Sequence, residues 1–482
     1  MARNPDRRAR YRALSAAPAL LLAACAVGPD YKRPEAPLPP NWRTDAPWRE
    51  ANPEDGKLKG DWWTIFGDAE LERLERLALE QSPTLTIAAA HLEQARQTVR
   101  IDAAALYPQV TANTGADRAH TSLNRPLSAY GTPNSSVVQN EFSLGFGVRY
   151  EADLFGRVRR QVEGARAAAD QSKADLENAR LVLTSEVAAD YFMLRELDLE
   201  IDLVAQGIDL ERRSLDYVVQ RHDGGAASGL DVAQQQALLD TTITQIELLN
   251  NQRVQFEHAL AALSGEPAPT FTIAPTVIEP TPPPIPIGIP SDLLERRPDI
   301  ASAERAMASA NAQIGVAKAA FFPSVGLMAN GGWDSAALST LLQGPSVLWS
   351  FGVSAAQTVF DAGRTDASVK FASAGYTAAV GSYRQTILAA MQEVQDGVGG
   401  LAILGRARAD AKAAVNSANR ALSLANDRYS GGLVTYIDVI TAQQTVITNQ
   451  RTEAQIVGQQ MTTSVFLVKA LGGGWQGLAA SN

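Results

Sequence analysis

The chain has 482 residues, 45% of them hydrophobic and 6% aromatic, and a formal charge of −9. That length and apolar share describe a folded protein of two or three domains and exclude a disordered one. The acidic balance, without a basic patch, argues against a nucleic-acid partner, and no apolar run reaches the ~18 residues of a membrane-spanning helix.

The first element in chain order is an export signal. Arg3, Arg7, Arg8, Arg10 and Arg12 make a basic head, and Ala13 to Ala24 form an apolar stretch too short to span a bilayer. The stretch ends Leu22-Ala23-Ala24-Cys25, and Cys25 is the single cysteine. Small residues before a cysteine resemble the bacterial lipoprotein box. The expectation is a lipoprotein signal peptide over 1–24 with lipid on Cys25; a free cysteine inside an ordinary cleaved signal is the competing reading. Ala26, where Asp would mean retention in the inner membrane under the enteric sorting rule, points to the outer one. Residues 25–61, rich in Pro and Trp and without period, read as a lipid-anchored extended arm.

From 62 to 475 the chain is written twice. ALYPQV from Ala105 is echoed by AFFPSV from Ala320, and RHDGGAASGLDV from Arg221 by RYSGGLVTYIDV from Arg428. The offsets, roughly 215 and 207 positions, make this a duplicated domain and not a solenoid unit. The first copy spans 62–266 and the second 291–475. A Pro-rich extended crossover over 267–290 joins them, and a tail over 476–482 follows.

Each copy opens with a helix of about twenty residues, the first capped by Ser82 ahead of Pro83, the second started by Pro298 with Asp299. After Pro108 and Pro323 the period changes to two. Strands are expected over about 107–118 and 140–153, where Phe142, Leu144, Phe146, Val148 and Tyr150 alternate with Ser143, Gly145, Gly147 and Arg149. The second copy offers strands over about 322–333 and 346–360, with Val347, Trp349, Phe351 and Val353 alternating with Ser350, Gly352 and Ser354. One such segment fits a half-buried soluble sheet. Four of them, apolar on one side and small or polar on the other, resemble outer-membrane barrel strands. A barrel needs at least about eight strands, so this chain cannot close one alone; three copies would supply about twelve and two about eight.

Both strand pairs feed long helical hairpins, over about 157–263 and about 364–471. Arg157 to Asp223 contains no proline, and ~67 residues give roughly 100 Å of helix. Heptads through Val162, Ala169, Leu176 and Leu183, and through Ile387, Val394 and Leu401, pack helix on helix as in a coiled coil. Each long helix ends at a double glycine, Gly224-Gly225 and Gly431-Gly432, with Arg221 and Arg428 in the last turns. The return helices start with Ser228-x-x-Asp231 and Thr435-x-x-Asp438, a capping-box spacing with Asp in place of Glu. These residues read as helix caps or as a docking surface for a partner reaching the far end, and both readings hold together.

The four histidines are scattered, without a second ligand at metal spacing, and no phosphate loop, GxSxG elbow or supported carboxylate pair is present. The expectation is a protein that is not an enzyme and binds no metal or cofactor.

The lipobox followed by CAVGPDYKRP, the paired strands, the two Arg-x-x-Gly-Gly turns, the stretch from Ile285 to Val325 and the ending KALGGGW from Lys469 together resemble the TolC-type outer-membrane factors. The likeness is to the lipoprotein branch that includes OprM and NodT. It implies a membrane α+β fold: a homotrimer with a twelve-strand transmembrane β-barrel, four strands per chain, continued by a long α-helical coiled-coil tunnel across the periplasm. It also implies the outer-membrane channel of a tripartite efflux system, a passive duct for drugs or other small solutes. Polar faces such as Ser143, Asn330 and Ser350 would meet water, and the aromatic faces outer-membrane lipid. The implied partners are a periplasmic adaptor (membrane fusion) protein, docking on Arg221 to Asp231 and Arg428 to Asp438, and an inner-membrane resistance-nodulation-division transporter. The duct of a type I protein-secretion system and a non-conducting periplasmic coiled-coil scaffold are the alternatives. The family closes its tunnel with inward side chains near the turns, which makes Asn426 and Asp427 the gate candidates. The acid stands one residue later here than in a LADKRY pattern, so Asp427 reads as a gate or as a solvated helix residue.

Overall fold

The computed structural model describes residues 26–34, 60–124, 136–285 and 296–473. The expected signal peptide over 1–24, Cys25, most of the expected arm, residues 286–295 across the crossover's end and the second copy's start, and the tail over 476–482 lie outside the described residues.

Helices α1 (Ala69–Gln81) and α2 (Pro83–Ala104) precede strands β1 (Gln109–Thr121) and β2 (Val137–Ala152), and the helices α3 (Arg157–Asp223) and α4 (Gly229–Leu263) follow. The order then repeats as α5 (Pro298–Ala319), β3 (Ser324–Ser335), β4 (Val347–Ala356), α6 (Arg364–Ser430) and α7 (Tyr436–Ala470). Equivalent helices agree to the residue: 22 in α2 and α5, 67 in α3 and α6, 35 in α4 and α7. One extra residue would turn a buried stripe by about 100°, so packing preserves these lengths. Helix α1 has no counterpart in the second copy among the described residues. Its AELERLERLALEQ buries Leu71, Leu74 and Ala78 on one face, and Asp68 caps it by accepting from the Glu70 and Leu71 amides at 2.9 and 3.0 Å.

The chain divides into two compact units. Among the described residues the first comprises 26–34, 92–124, 136–171 and 304–382 and holds the sheet; the second comprises 60–91, 172–285, 296–303 and 383–473 and holds both helix turns.

In the first unit the four strands run antiparallel in the order β1-β2-β3-β4, so β2 and β3 join the two copies. The register settles the faces, because directly paired residues share one. Val110, Val148, Ala329 and Phe351 lie in one row, and Ala112, Phe146, Gly331 and Trp349 in the next. The opposite face carries Thr111, Gly147, Asn330 and Ser350, with the Asn330 amide donating to Ser350 Oγ at 3.3 Å. Trp349 and Phe351 are 79% and 68% exposed, an apolar face left uncovered by the described residues. Strand β4 stops at Ala356, short of the residue 360 expected, because its partner β3 begins at Ser324 after Pro323, which has no amide to give.

In the second unit a buried ionic knot ties the helices to the start of the Pro-rich crossover. Asp198 on α3 accepts from Arg253 Nε of α4 at 2.6 Å, from Arg195 at 2.7 Å and from the Thr276 amide at 3.0 Å. Arg253 also donates to the Ile273 carbonyl at 2.7 Å.

Candidate functional site

Both helix turns belong to the second unit, and each is built by its backbone first. Gly224 and Gly431 donate to the carbonyls of Gln220 and Asp427, each at 3.1 Å, which continues the helical ladder one step beyond α3 and α6. Gly225 and Gly432 then turn the chain at φ +72° each, a left-handed conformation that costs glycine little. Ala226 and Leu433 close the turns on the carbonyls of Arg221 and Arg428 at 2.7 and 2.8 Å.

The first return helix is capped as its spacing predicts; in the second the Thr435 hydroxyl donates to the Asp438 carboxylate instead of accepting from the Asp438 amide. The Ser228 hydroxyl accepts from the Asp231 amide at 3.2 Å, and Asp231 accepts from the Ser228 amide at 3.0 Å. In the second turn Asp438 Oδ2 accepts from both the amide and the hydroxyl of Thr435, at 3.1 and 2.9 Å. The carboxylates also sit in the first turns of α4 and α7, where the helix dipole favours them.

Arg221 and Arg428 are sequence equivalents with different surroundings. Arg428 is exposed, whereas the Arg221 guanidinium lies over the Tyr429 ring and donates to Tyr217 Oη at 3.3 Å. Beneath, Tyr429 and Tyr436 pack with ring centres 4.9 Å apart, inside an apolar cluster with Val218, Leu238, Val439 and Ile440. Tyr436 Oη donates to Gln235 Oε1 at 2.7 Å, and the Gln235 amide donates to the Glu211 carbonyl at 3.2 Å. Burial, with Tyr429 and Asp231 close by, pushes the Tyr436 phenol above its ordinary value. Burial also raises the Glu211 carboxyl, against the Thr242 hydroxyl bond at 3.1 Å.

The two turns are thus one structure, the first copy's Arg221 and Gln235 held by the second copy's tyrosines. Sequence reading named the caps and missed this core. Its signal was the pair Tyr429 and Tyr436 flanking the second double glycine, where the first copy has His222 and Gly229. Leu230 and Leu433 stand out of the turns, 64% and 71% exposed. Asn426 and Asp427 are also exposed, on α6. The Asp427 backbone carbonyl caps the turn, accepting from Gly431 and from the Ser430 hydroxyl. The arrangement offers polar and apolar contacts to a protein surface.

Comparison with known proteins gives this site its setting. The sequence profile for outer membrane efflux proteins matches residues 74–266 and 289–473. Outer membrane protein OprJ of Pseudomonas aeruginosa is 33% identical over 464 residues, covering 95% of this chain and 94% of that one. The toluene efflux pump outer membrane protein TtgF of Pseudomonas putida is 31% identical over 478 residues, 97% of this chain and 98% of its own. Among solved structures, the Campylobacter jejuni CmeC outer membrane channel superposes with a TM-score of 0.86 at 25% identity, over 94% of this chain and 96% of that one. The duplicated order of helices and strands and these matches across nearly the whole length place the chain in the outer membrane efflux protein family, as an efflux component of the Gram-negative outer membrane.

Proposed function

We propose that three copies of this chain form the passive outer-membrane duct of a tripartite efflux system. The observation that carries the reading is the sheet. Four antiparallel strands present an exposed aromatic face on one side and Thr111, Gly147, Asn330 and Ser350 on the other. Four strands are about half the smallest closed barrel, and three chains pairing β4 of one to β1 of the next give about twelve. Lipid on Cys25 anchors the chain. Residues 62–266 and 291–475 serve as two near-equivalent efflux repeats.

The hairpins built from α3 with α4 and from α6 with α7 form the tunnel wall, and their turns receive a periplasmic adaptor. Exposed Leu230 and Leu433 add apolar area to the docking residues Arg221 to Asp231 and Arg428 to Asp438. Asn426 and Asp427 on α6 narrow the tunnel near the turns. Energy comes from an inner-membrane transporter of the resistance-nodulation-division class, and the cargo is drugs or solvent-like small molecules, as the name of the toluene pump relative suggests. Deleting the protein from a strain without a homologous duct raises intracellular accumulation of such solutes. Expressing the Leu230→Asp, Leu433→Asp double variant, which leaves the caps intact, fails to restore efflux. Unchanged accumulation on deletion removes the proposal.

A further inference from the structure

The residues that follow Cys25 occupy a fitted site within the first unit. The Val27 amide donates to the Phe155 carbonyl at 3.0 Å, and the Asn311 side chain donates to the Pro29 carbonyl at 2.9 Å. The buried Arg160 guanidinium, in the first turn of α3, donates to the Gly28 carbonyl at 3.4 Å and to Asp30 Oδ1 at 2.8 Å. Tyr31 Oη donates to Glu304 at 3.4 Å, and Arg33 pairs with the same carboxylate at 3.8 Å.

Shape is as restrictive as polarity. Gly28 has φ +115°, and a Cβ there would lie 2.6 Å from Gly315 Cα; a Cβ on Gly315 would lie 3.0 Å from the Val27 carbonyl. Across the groove a Cβ on Gly156 would lie 2.8 Å from Ala26 Cα. Glu304, Asn311 and Gly315 are spaced by seven and four along α5, hence on one face. Two glycines on the receptor and one on the segment, each needed for backbone approach, together with a buried cation and a buried amide, make a site that demands glycine at position 28 and holds the next residues by the Pro29 carbonyl and the Asp30 carboxylate.

We propose that Arg160 with Glu304, Asn311 and Gly315 forms a receptor site for the chain's own segment Val27 to Arg33, and that its occupation pins the lipid anchor at the junction of β2 and α3. The second half rests on the lipidation of Cys25 proposed above. Cys25 is the covalent neighbour of Ala26, and Ala26 packs on Gly156, immediately before α3. Docking therefore fixes where the acyl chains leave the protein relative to the strand ends, which the extended arm alone would leave free.

The test is trypsin cleavage after Lys32, an exposed residue, in the detergent-purified full chain, with the released fragment weighed by mass spectrometry. Cleavage requires the segment to leave the site, so its rate reports the opening equilibrium. Gly28→Ala sits on the segment and leaves the helices untouched; it is expected to speed cleavage by about a hundredfold, and Asn311→Ala by about tenfold. Equal rates in wild type and Gly28→Ala overturn the receptor site. The fragment's mass is a separate readout: acyl chains on Cys25 support the anchor, and an unmodified fragment removes that half alone.

Discussion

The Arg221 guanidinium carbon stands 4.8 Å from the centre of the Tyr429 ring, which makes the first copy's turn a lid on the second copy's aromatic pair. A planar cation over a ring face is held by the ring quadrupole, and lysine reproduces the charge without the stacking. Arg221→Ala is expected to expose the ring and raise protease cleavage between Gly224 and Ser228 severalfold, with Arg221→Lys between it and wild type. Cleavage rates independent of residue 221 would mean that the two turns are not coupled through this contact.

The two tyrosines should respond oppositely to loss of a hydroxyl. Tyr436 Oη donates to Gln235 Oε1, and Gln235 is fully buried, so Tyr436→Phe strands a carbonyl and costs about 1–3 kcal/mol. The buried Tyr429 hydroxyl has no hydrogen-bond partner among the described residues, and Tyr429→Phe is expected to be neutral or mildly stabilising. Thermal midpoints of the two variants in one detergent decide it, and a larger loss for Tyr429→Phe would contradict the assignment.

Buried acids on α3 give a pH dependence whose sign follows from their cause. Burial, then the hydrogen bond that protonated Glu196 donates to the Glu200 carboxylate, raises the Glu196 carboxyl. Burial, then Glu186, pushes Asp190 up to about 6. Arg451 faces the pair from α7 and holds Glu200 at 3.0 Å. An acid with a raised folded pKa keeps a proton that the unfolded chain has released. Its contribution is full below the ordinary carboxylate range and falls as pH rises, up to about 6 for Asp190 and further for Glu196. Stability should therefore drop from about pH 4 up to about pH 9, the value to which Glu196 is raised, and Glu196→Gln should recover about 1–2 kcal/mol at the upper end. A Glu196→Gln protein with the wild-type pH slope would exclude Glu196 as a source.

What was legible in the sequence was local. Gly224-Gly225 and Gly431-Gly432, Ser228 with Asp231, and Pro108 and Pro323 act on the chain within a few residues, so turns, caps and strand starts follow from propensity and spacing. The alternation around Phe146 and Phe351 announced the sheet's two faces for the same reason. The contact of Arg221 with Tyr429 was not legible, because it joins residues in different copies and exists only once the two hairpins pack. The seat of Gly28 against Gly315 was hidden likewise, since a glycine's close approach leaves no pattern along its own segment. Helix α1 is a different case: its Leu71, Leu74 and Ala78 stripe is visible in the sequence, but the Trp-rich stretch before it masks the change from arm to helix.

The same distinction governs the knot at Asp198, the most damaging place to remove a charge. Arg195 and Arg253 both point at this carboxylate from buried positions, so Asp198→Ala leaves Arg195 without its counter-charge and Arg253 with only Glu257 at 3.4 Å, and costs about 3 kcal/mol. It also frees the Thr276 amide, which donates to Asp198 Oδ2, and should open the start of the Pro-rich crossover to proteolysis before the helices melt. Replacing the pair together, as Asp198→Leu with Arg253→Met, removes one desolvated cation along with the anion. It should therefore be less destabilising than Asp198→Ala, although Arg195 then depends on the Ala274 carbonyl at 2.9 Å and on the Tyr191 ring at 4.9 Å. A double variant no more stable than the single one would mean that the Arg253 bond to the Ile273 carbonyl, and not the ion pair, holds the crossover in place.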